Sequence, residues 1–594
     1  MSVIFQIINT RKFACIRKSF KYSTSHRKCL LTRSCSGSPK KFITFNEIAA
    51  QRRAEARRSL VVQVNSKSSF SELYSYCSKY ADIEGVHHYK NKGGENFMLI
   101  EFKTEENVLE VHRNCSSHQK DVDIMAVPSP FLWFRATPNR KEKNIPPNNM
   151  TLKTSDGSSL VNNDEIIDEL IKCSSISEQM QVLYDNTKLN DIGVRLRYMA
   201  ARQLETIFSS LYANIEVRPF GSSVNGFGKI GCDLDLVLTN NITSIGSYCD
   251  PNRRLVYQEK RSELSPSRHL EVVASTLESR LAGAAKLVRI LHARVPILKY
   301  SHQYADLDCD LCYNNMSGVY MSELLHLYSS ADPRVAPLVT AVRRWAQSRG
   351  LTSLRPGRWV TGFPLTLMVL FYLQNCKILP KLSLLVRRAR KEDIRIAEEN
   401  LNCTFLRDLN LLPPDTLPPN RSDLQTLLLQ FFEFYSQFDF QDKAISINEG
   451  VPIRKPNSQP LYIVNPLDSG LNVSKNVSFE ECERLKMEVR NAAWQLEAEN
   501  DKAKEDSWGL LGLSENISEL TLRKLVRVGN SHRLLSLKDL FNEEENDCKE
   551  ELKNKNSENV SENKVEEKQN NQKIRYKNPQ VRNEVMRIRR NKMA

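Results

Sequence analysis

The sequence predicts an α+β fold with more than one domain, and three observations predict it. Short strands and helices alternate through residues 59–128. A turn rich in glycine and serine feeds an apolar strand carrying two aspartates at 220–238. Beyond about residue 319, apolar residues recur mainly at helical spacing. At 594 residues the chain has length for three or four domains of roughly 150 residues each.

The composition, 40% hydrophobic and 26% charged, is that of a globular protein and excludes a mostly disordered or fibrous one. A membrane-spanning helix needs roughly 18 to 20 uninterrupted apolar residues. The longest candidate, Val360 to Leu373, is interrupted by Gly362 and Pro364. It reads as a buried core helix, and no membrane insertion is expected. The 14 cysteines are scattered singly, which points to a soluble protein of a reducing compartment.

The net charge of +15 is concentrated at the start: residues 1–46 hold ten Lys and Arg and no acid, leaving +5 for the rest. That weakens the case for a nucleic-acid partner from charge alone. The segment is basic, serine-rich and interleaved with apolar residues such as Phe5, Ile8, Phe13 and Phe20, the pattern of an organelle transit peptide. A basic tail or nucleic-acid arm is the plainer alternative. At the far end, 543–567 is acidic and 568–592 basic, with few apolar residues. This stretch is expected to be largely disordered after 543, and its basic end could hold RNA phosphates.

In order along the chain, Ser59–Val64 reads as a strand, Phe70–Tyr80 as a helix and Val86–Lys90 as a strand. Asn96–Phe102 is a further strand, Thr104–His112 a helix and Val122–Val127 a last strand. The order βαββαβ is the split plan of ferredoxin-like domains, which RNA-recognition modules share. In those modules strand aromatics stack bases; Phe97 and Phe102 stand near such places, while Leu99 occupies one that is usually aromatic. Core packing or a partner-facing sheet would use the same phenylalanines. The adjacent His87–His88 reads as strand surface.

A polar, proline-containing linker follows, and helical periodicity runs from about Asn163 to Leu211. The stretch Phe220 to Leu238 (F-G-S-S-V-N-G-F-G-K-I-G-C-D-L-D-L-V-L) is the most informative in the chain. Its glycines permit tight turns, and a Gly-Ser turn with free N–H groups suits phosphate oxygens. In D-L-D-L-V-L a period of two puts Asp233 and Asp235 on one face. Two neighbouring carboxylates repel unless a cation neutralises them, and oxygen ligands suit Mg²⁺ or Mn²⁺. A third carboxylate is expected from a second strand, where Asp306, Asp308 and Asp310 share one parity; position alone does not choose among them. Cys309-x-x-Cys312 has no second Cys or His pair near in sequence, so it reads as two packing cysteines rather than half a zinc site. No G-x-x-x-x-G-K-[ST] loop occurs, which disfavours a P-loop ATPase.

The G-S…D-x-D pattern, the later C-D-L-C-Y-N-N and the final helical region resemble the DNA polymerase β-type terminal nucleotidyltransferases. Within that family the mitochondrial, poly(A)-adding members are the most similar. The resemblance covers roughly 165–500 and extends more loosely to the N-terminal domain, which family members use for dimerisation. It implies a polymerase β-like nucleotidyltransferase palm, a helical poly(A)-polymerase-associated domain and the ferredoxin-like domain. It also implies that Asp310 is the third metal carboxylate and that Gly221 and Ser222 contact the triphosphate. Asn315 would reach the ribose hydroxyls, Ser322 a phosphate, and Arg343 the phosphates. Relatives often carry lysine where this chain has Arg343 and Gln347; Arg343 keeps the charge and Gln347 does not. T-G-F-P-L-T-L-M-V-L-F-Y-L-Q matches the nucleotide-recognition helix, placing Phe363 where relatives stack a tyrosine on the base. In uridylyl-adding relatives a histidine stands where this chain has Leu471. Phe431, Phe432 and Phe434 belong to the poly(A)-polymerase-associated segment and are read as core.

The expected layout is a transit peptide over 1–46, a βαββαβ domain over 47–135 and a linker over 136–162. The palm spans 213–318, the helical domain 163–212 with 319–500, and a C-terminal extension 501–594. The expected activity is template-independent addition of AMP from ATP to RNA 3′ ends of mitochondrial transcripts in the matrix, with two Mg²⁺ or Mn²⁺ ions held by Asp233, Asp235 and Asp310. Uridylyl transfer by the same residues is the enzymatic alternative. An inactive RNA-binding scaffold is the other, and three intact carboxylates argue against it. A homodimer through the N-terminal domain is expected.

Overall fold

The computed structural model describes residues 41–114, 129–134, 152–154, 163–209, 215–240, 265–353, 357–413, 416–499 and 508–514. Residues 1–40 of the expected transit segment, the strand expected at Val122–Val127, most of the linker and the acidic and basic C-terminal tracts lie outside them. In chain order the elements are α1 (Phe45–Arg57), β1 (Ser59–Val64), α2 (Phe70–Cys77), β2 (Ile83–Lys90), β3 (Asn96–Phe102), α3 (Glu105–Asn114), β4 (Phe131–Trp133) and β5 (Lys153–Thr154). Then come α4 (Asn163–Ile171), α5 (Ile176–Thr187), α6 (Asp191–Phe208), β6 (Ile215–Phe220), β7 (Leu234–Asn240), α7 (Pro266–Arg280), β8 (Ala284–Ile290), β9 (Ile297–His302) and β10 (Leu307–Tyr313). The rest are α8 (Ser317–Ala331), α9 (Val335–Ser348), α10 (Gly362–Asn375), α11 (Leu382–Arg387), α12 (Leu424–Ser436), β11 (Lys443–Ala444), β12 (Ile453–Arg454), α13 (Phe479–Glu499) and α14 (Leu510–Ser514).

Residues upstream of the expected boundary at 46 already belong to the fold. Thr44 caps α1 by a capping box: its hydroxyl accepts from Glu47 N, and the Glu47 carboxylate accepts from Thr44 N at 2.8 Å. Phe42 N also donates to Asn410 Oδ1 at 2.9 Å. Phe42 and Thr44 are therefore tied into the folded body.

The N-terminal sheet has the order β4-β1-β3-β2-β5. Its fourth strand is Phe131–Trp133, and it runs parallel to β1, whereas the split βαβ plan is antiparallel throughout. Both faces are covered. Leu60, Val62, Met98, Ile100 and Phe102 pack beneath α2 and α3. Val61, Tyr89, Phe97, Leu99 and Phe131 join a core shared with α6 and the palm. The base-stacking reading of Phe97 and Phe102 is thereby overturned, since both are buried at 1% exposure or less. Phe97 stacks on Tyr89 with centroids 5.3 Å apart, and Tyr89 Oη donates to Tyr304 O at 2.9 Å. His87 and His88 are buried too, not on the surface as expected; His88 Nε2 lies 3.0 Å from Asn96 Oδ1.

The palm sheet has the order β6-β7-β10-β9-β8, with β7 and β10 parallel. Alternation puts Leu234, Leu236, Leu238, Cys309 and Leu311 against α6 and α7. Helix α6 therefore serves the palm, although its sequence lies in the stretch expected to be helical domain. Helices α4, α5 and α8 to α14 form one core around α10, which is buried from Pro364 to Gln374. Pro364 is tolerated because it falls in the first turn, where its missing N–H has no intrahelical partner to lose. Phe431 and Phe432 are core as expected. No described helix is long and apolar enough to cross a membrane.

Candidate active site

The site begins where β6 ends. Gly221 has φ +69°, and a Cβ there would lie 2.1 Å from Asp235 Oδ2, so only glycine lets the turn press against that carboxylate. Gly221 N donates to Ser322 Oγ at 2.7 Å, and that hydroxyl donates onward to Gly318 O at 2.8 Å. Ser322 is 2% exposed with its single proton in use. The hydroxyl thereby ties the Gly221 turn to α8. Ser222 is half-buried and hydrogen-bonds through its side chain to none of the described residues.

Across the sheet, Phe220 pairs with Asp235, Asp235 with Asp310, and Asp310 with Lys299. Register thus brings Asp310, of the three carboxylates that share parity, beside Asp235. Asp308 lies two pairs further on, exposed, accepting from Ser301 Oγ at 2.6 Å. Asp306 sits in the hairpin at φ +52°. It is half-buried and accepts from Lys92 N at 2.5 Å, so it pins the N-terminal domain to the palm rather than being simply solvated.

Burial, reinforced by Asp310 and Asp233, pushes the Asp235 carboxyl up to about 7. Asp233, in the approach to β7, is raised by burial and by the charges of Asp310 and Asp308. Lys299 Nζ lies 2.6 and 2.8 Å from the two Asp310 oxygens. Partial burial lowers the ammonium's pKa, but the bond to Asp310 and the field of the carboxylates outweigh this and raise it. With Asp310 turned to Lys299, no three acidic, His or Cys side chains among the described residues converge as a metal-ligating group. Cys309 and Cys312 do not converge either. Three residues apart on one strand, they enter separate cores on opposite faces of the sheet.

Asn315 Oδ1 accepts from Ser317 Oγ at 2.7 Å just before α8. Arg343 is held by Phe227 O at 3.0 Å, Thr366 Oγ1 at 2.6 Å and Gly362 O at 3.3 Å. Burial pulls its guanidinium down to about 10, and it forms no ion pair with a described carboxylate. Those bonds tie the glycine loop to the start of α10, where Phe363 lies half-buried against the helical core. Gln347, a turn further along α9, is exposed. Leu471 is half-buried in a turn closed by its own N–H on Asp468 O at 3.0 Å. Asp468 also lies 3.7 Å from Arg294 of the palm.

Two supporting residues escaped the sequence reading. Arg197 of α6, 1% exposed, donates to Ser223 Oγ at 3.0 Å and Cys232 O at 2.6 Å, bracing both ends of the loop. Its only signal was one arginine in an apolar stripe. Glu398 accepts from Met316 N at 2.9 Å and Ser317 N at 3.1 Å, capping α8 beside Asn315 from 82 residues away. Nothing local marks it.

Residues 176–330 match the family model described as Poly(A) RNA polymerase, mitochondrial-like, central palm domain, and residues 423–469 the one described as Cid1 family poly A polymerase. The chain is 42% identical over 523 residues to the mitochondrial Poly(A) RNA polymerase of Drosophila melanogaster, covering 84% of each chain. It is 33% identical over 482 residues to the Homo sapiens protein of the same name, covering 79% of this chain and 80% of that one. It is also similar to a crystal structure of mtPAP in complex with ATPγS, with TM-score 0.69 and 31% identity. That match covers 80% of this chain and 99% of the other.

Proposed function

The chain belongs to the mitochondrial poly(A) RNA polymerases, and on that premise we propose that it adds AMP from ATP, without a template, to RNA 3′ ends in the mitochondrial matrix. The observation that carries the reading is the pairing of Asp235 with Asp310 beside the Gly221 turn. The terminal hydroxyl attacks the α-phosphorus in line and gives up its proton. A new P–O bond forms, and the bond to the β-phosphate breaks as pyrophosphate leaves. Asp233, Asp235 and Asp310 suit two Mg²⁺ or Mn²⁺ ions. They are hard oxygen donors whose mutual repulsion, seen in the raised Asp235, a divalent cation relieves. Bound ions would lower the pKa of the attacking hydroxyl and stabilise the leaving pyrophosphate.

In this reading the Gly221 and Ser222 backbone cradles the triphosphate and Asn315 takes the ribose. Arg343, a half-buried cation among neutral acceptors, faces an anion through the loop it holds. Phe363 stacks on the base, and Leu471 offers an apolar wall where a histidine would hydrogen-bond uracil. Solved mtPAP complexes include GTP, UTP and CTP, so binding alone does not discriminate among bases. The deciding measurement is extension of a labelled RNA with each of the four nucleotides and Mg²⁺ or Mn²⁺. ATP should support the fastest extension; faster extension with UTP, or none with any nucleotide, would sink the assignment.

Homodimer formation through the N-terminal domain belongs to the same proposal. The palm-facing side of its sheet is taken, which leaves the helix side and the strand edges, where Leu109 (50% exposed) and Trp133 (41%) stand. Sedimentation of a Leu109→Glu/Trp133→Glu chain should shift toward monomer, and an unchanged mass removes this part.

A further inference from the structure

On the catalytic face of the palm, the row beyond the carboxylates is apolar: Val237, Cys312 and Ile297 are capped by Val319 of α8 and Phe45 of α1. Behind that plug a cavity of about 530 Å³ opens between α1, the start of α3, β6 and α8. That is within the usual volume of small-ligand sites, roughly 300 to 1,000 Å³. It stays open because α1 turns a stripe of small residues toward it, Ala49, Ala50 and Ala54, flanked by Arg53 and Arg57.

The lining charge is unbalanced. Five cations (Arg53, Arg57, Arg58, Lys103 and Arg218) face two carboxylates, Glu105 and Glu216. Glu216 is shared: Arg218 reaches it at 2.6 Å and Arg53 contacts it from the other side. Burial lowers both guanidinium pKa values, and Arg218 adds to the lowering at Arg53. Glu105 is engaged by Arg202 at 3.3 Å and Arg58 by Glu101 at 2.5 Å. Lys103 lies 4.0 Å from Asp82, both largely exposed, and Arg57 forms no ion pair with a described residue. At the mouth Arg57 is unpaired among the described residues and Lys103 is only loosely paired, and at the back two guanidiniums share Glu216; together they attract an anion, more so against low-dielectric walls. Guanidiniums match phosphate oxygens in planar, paired hydrogen bonds.

The cavity shares its walls with the nucleotide loop. Arg218 is two residues before Phe220, the partner of Asp235, about 7 Å along the strand. Val319 lines the cavity, and Ser322, one turn later on α8, holds Gly221 N.

We propose that this cleft is a second phosphate-binding site, sized for one nucleotide and taking either a unit of an RNA chain or a free nucleoside triphosphate. The choice of ligand rests on the proposed activity, whose two substrates both carry that chemistry; the basic cavity itself does not depend on it. The test uses the full chain without divalent metal, with labelled oligoadenylate and ATP as separate probes, titrated across salt. Arg57→Glu/Lys103→Glu removes the mouth cations, and Ala54→Trp fills the cavity without altering a charge. If RNA is the occupant, the double variant weakens oligoadenylate binding about tenfold at low salt. It also lowers the slope of log Kd against log salt by about 1.4, two contacts at about 0.7 each for single strands. Ala54→Trp weakens binding too, and in a separate assay with Mg²⁺ the maximal extension rate at saturating substrates stays within about twofold. If free nucleotide is the occupant, ATP stoichiometry falls from two per chain to one in both variants. Unchanged binding of both probes in both variants overturns the proposal. So does cleft-dependent binding of polyglutamate with none of either nucleotide probe. Absence of extension by the unaltered protein would count against the activity alone, because the binding measurements stand without it.

Discussion

In the N-terminal sheet one cross-strand row reads Phe131, Val61, Leu99, His87, Lys153; in the palm sheet a comparable row reads Phe220, Asp235, Asp310, Lys299, Val288. Both sheets have five strands and comparable spacing between neighbours. The first row is mostly apolar and closes against α6 and the palm, joining two domains. The second sets two carboxylates side by side and satisfies only one of them with an ammonium. One sheet face spends its side chains on adhesion. The other keeps unrelieved charge at the end of a glycine turn, and that charge is what a cation and a triphosphate can use.

The sharpest way to break this contrast is to remove the charged row. Asp310→Ala should lower extension at least about a thousandfold, since metal ligation contributes several kcal/mol to the barrier. Its melting temperature should stay nearly unchanged, because Lys299 remains beside Asp233 and Asp235. Asp308→Ala should keep substantial activity; the reverse pattern in rate assays would show that the register argument fails.

The adhesive row predicts the opposite profile. Phe97→Ala should cost about 3 to 5 kcal/mol, read by denaturant unfolding, since the ring packs on both Tyr89 and Tyr304. A loss below about 1 kcal/mol would mean that the sheet is not held by that face.

Base choice comes next. Leu471→His should shift the ATP-to-UTP ratio of initial rates by about tenfold to a hundredfold, the worth of one hydrogen bond to a base edge, while metal-dependent turnover persists. Uniform loss with all nucleotides and a lowered melting curve would make Leu471 a packing residue.

The smallest effect sharpens the electrostatics. Asp235 has a folded pKa near 7, above its unfolded value. Its contribution is therefore fully present below about pH 4 and lost as pH rises through about 7. In metal-free protein Asp235→Asn should thus be stabilising at pH 7.5, by about 1 to 2 kcal/mol after solvent screening. The gain should shrink toward pH 4. Melting curves across that range check it, and a pH-independent difference would contradict the shift.

These residues also show what could be read from the chain alone. Asp233 and Asp235 were legible because a two-residue period fixes which side chains share a face. Helix α10 was legible because it is apolar on every side. Asp310 needed register, which three carboxylates of equal parity could not supply. Phe97 was placed on the correct strand, but alternation says which face a ring takes and not what covers it. Ser322, Arg197 and Glu398 act through contacts 101, 26 and 82 residues away, beyond the reach of any local pattern. The transit segment and the tails were read from composition.

Gln179 of α5 accepts from Leu510 N at 2.9 Å, a bond spanning 331 residues. Helices α4 and α5 emerge early, yet their partners α9, α12 and α14 lie beyond the whole palm. At translation speeds of about 5 to 20 residues per second, that interval is roughly 20 to 60 s. Helix α9 follows α5 after about half that interval, but the cover that α14 gives α4 and α5 comes only at its end, when the palm strands between them are already complete. Shape in this protein is thus acquired out of sequence order, and the first helices of the helical domain are among the last to be sealed.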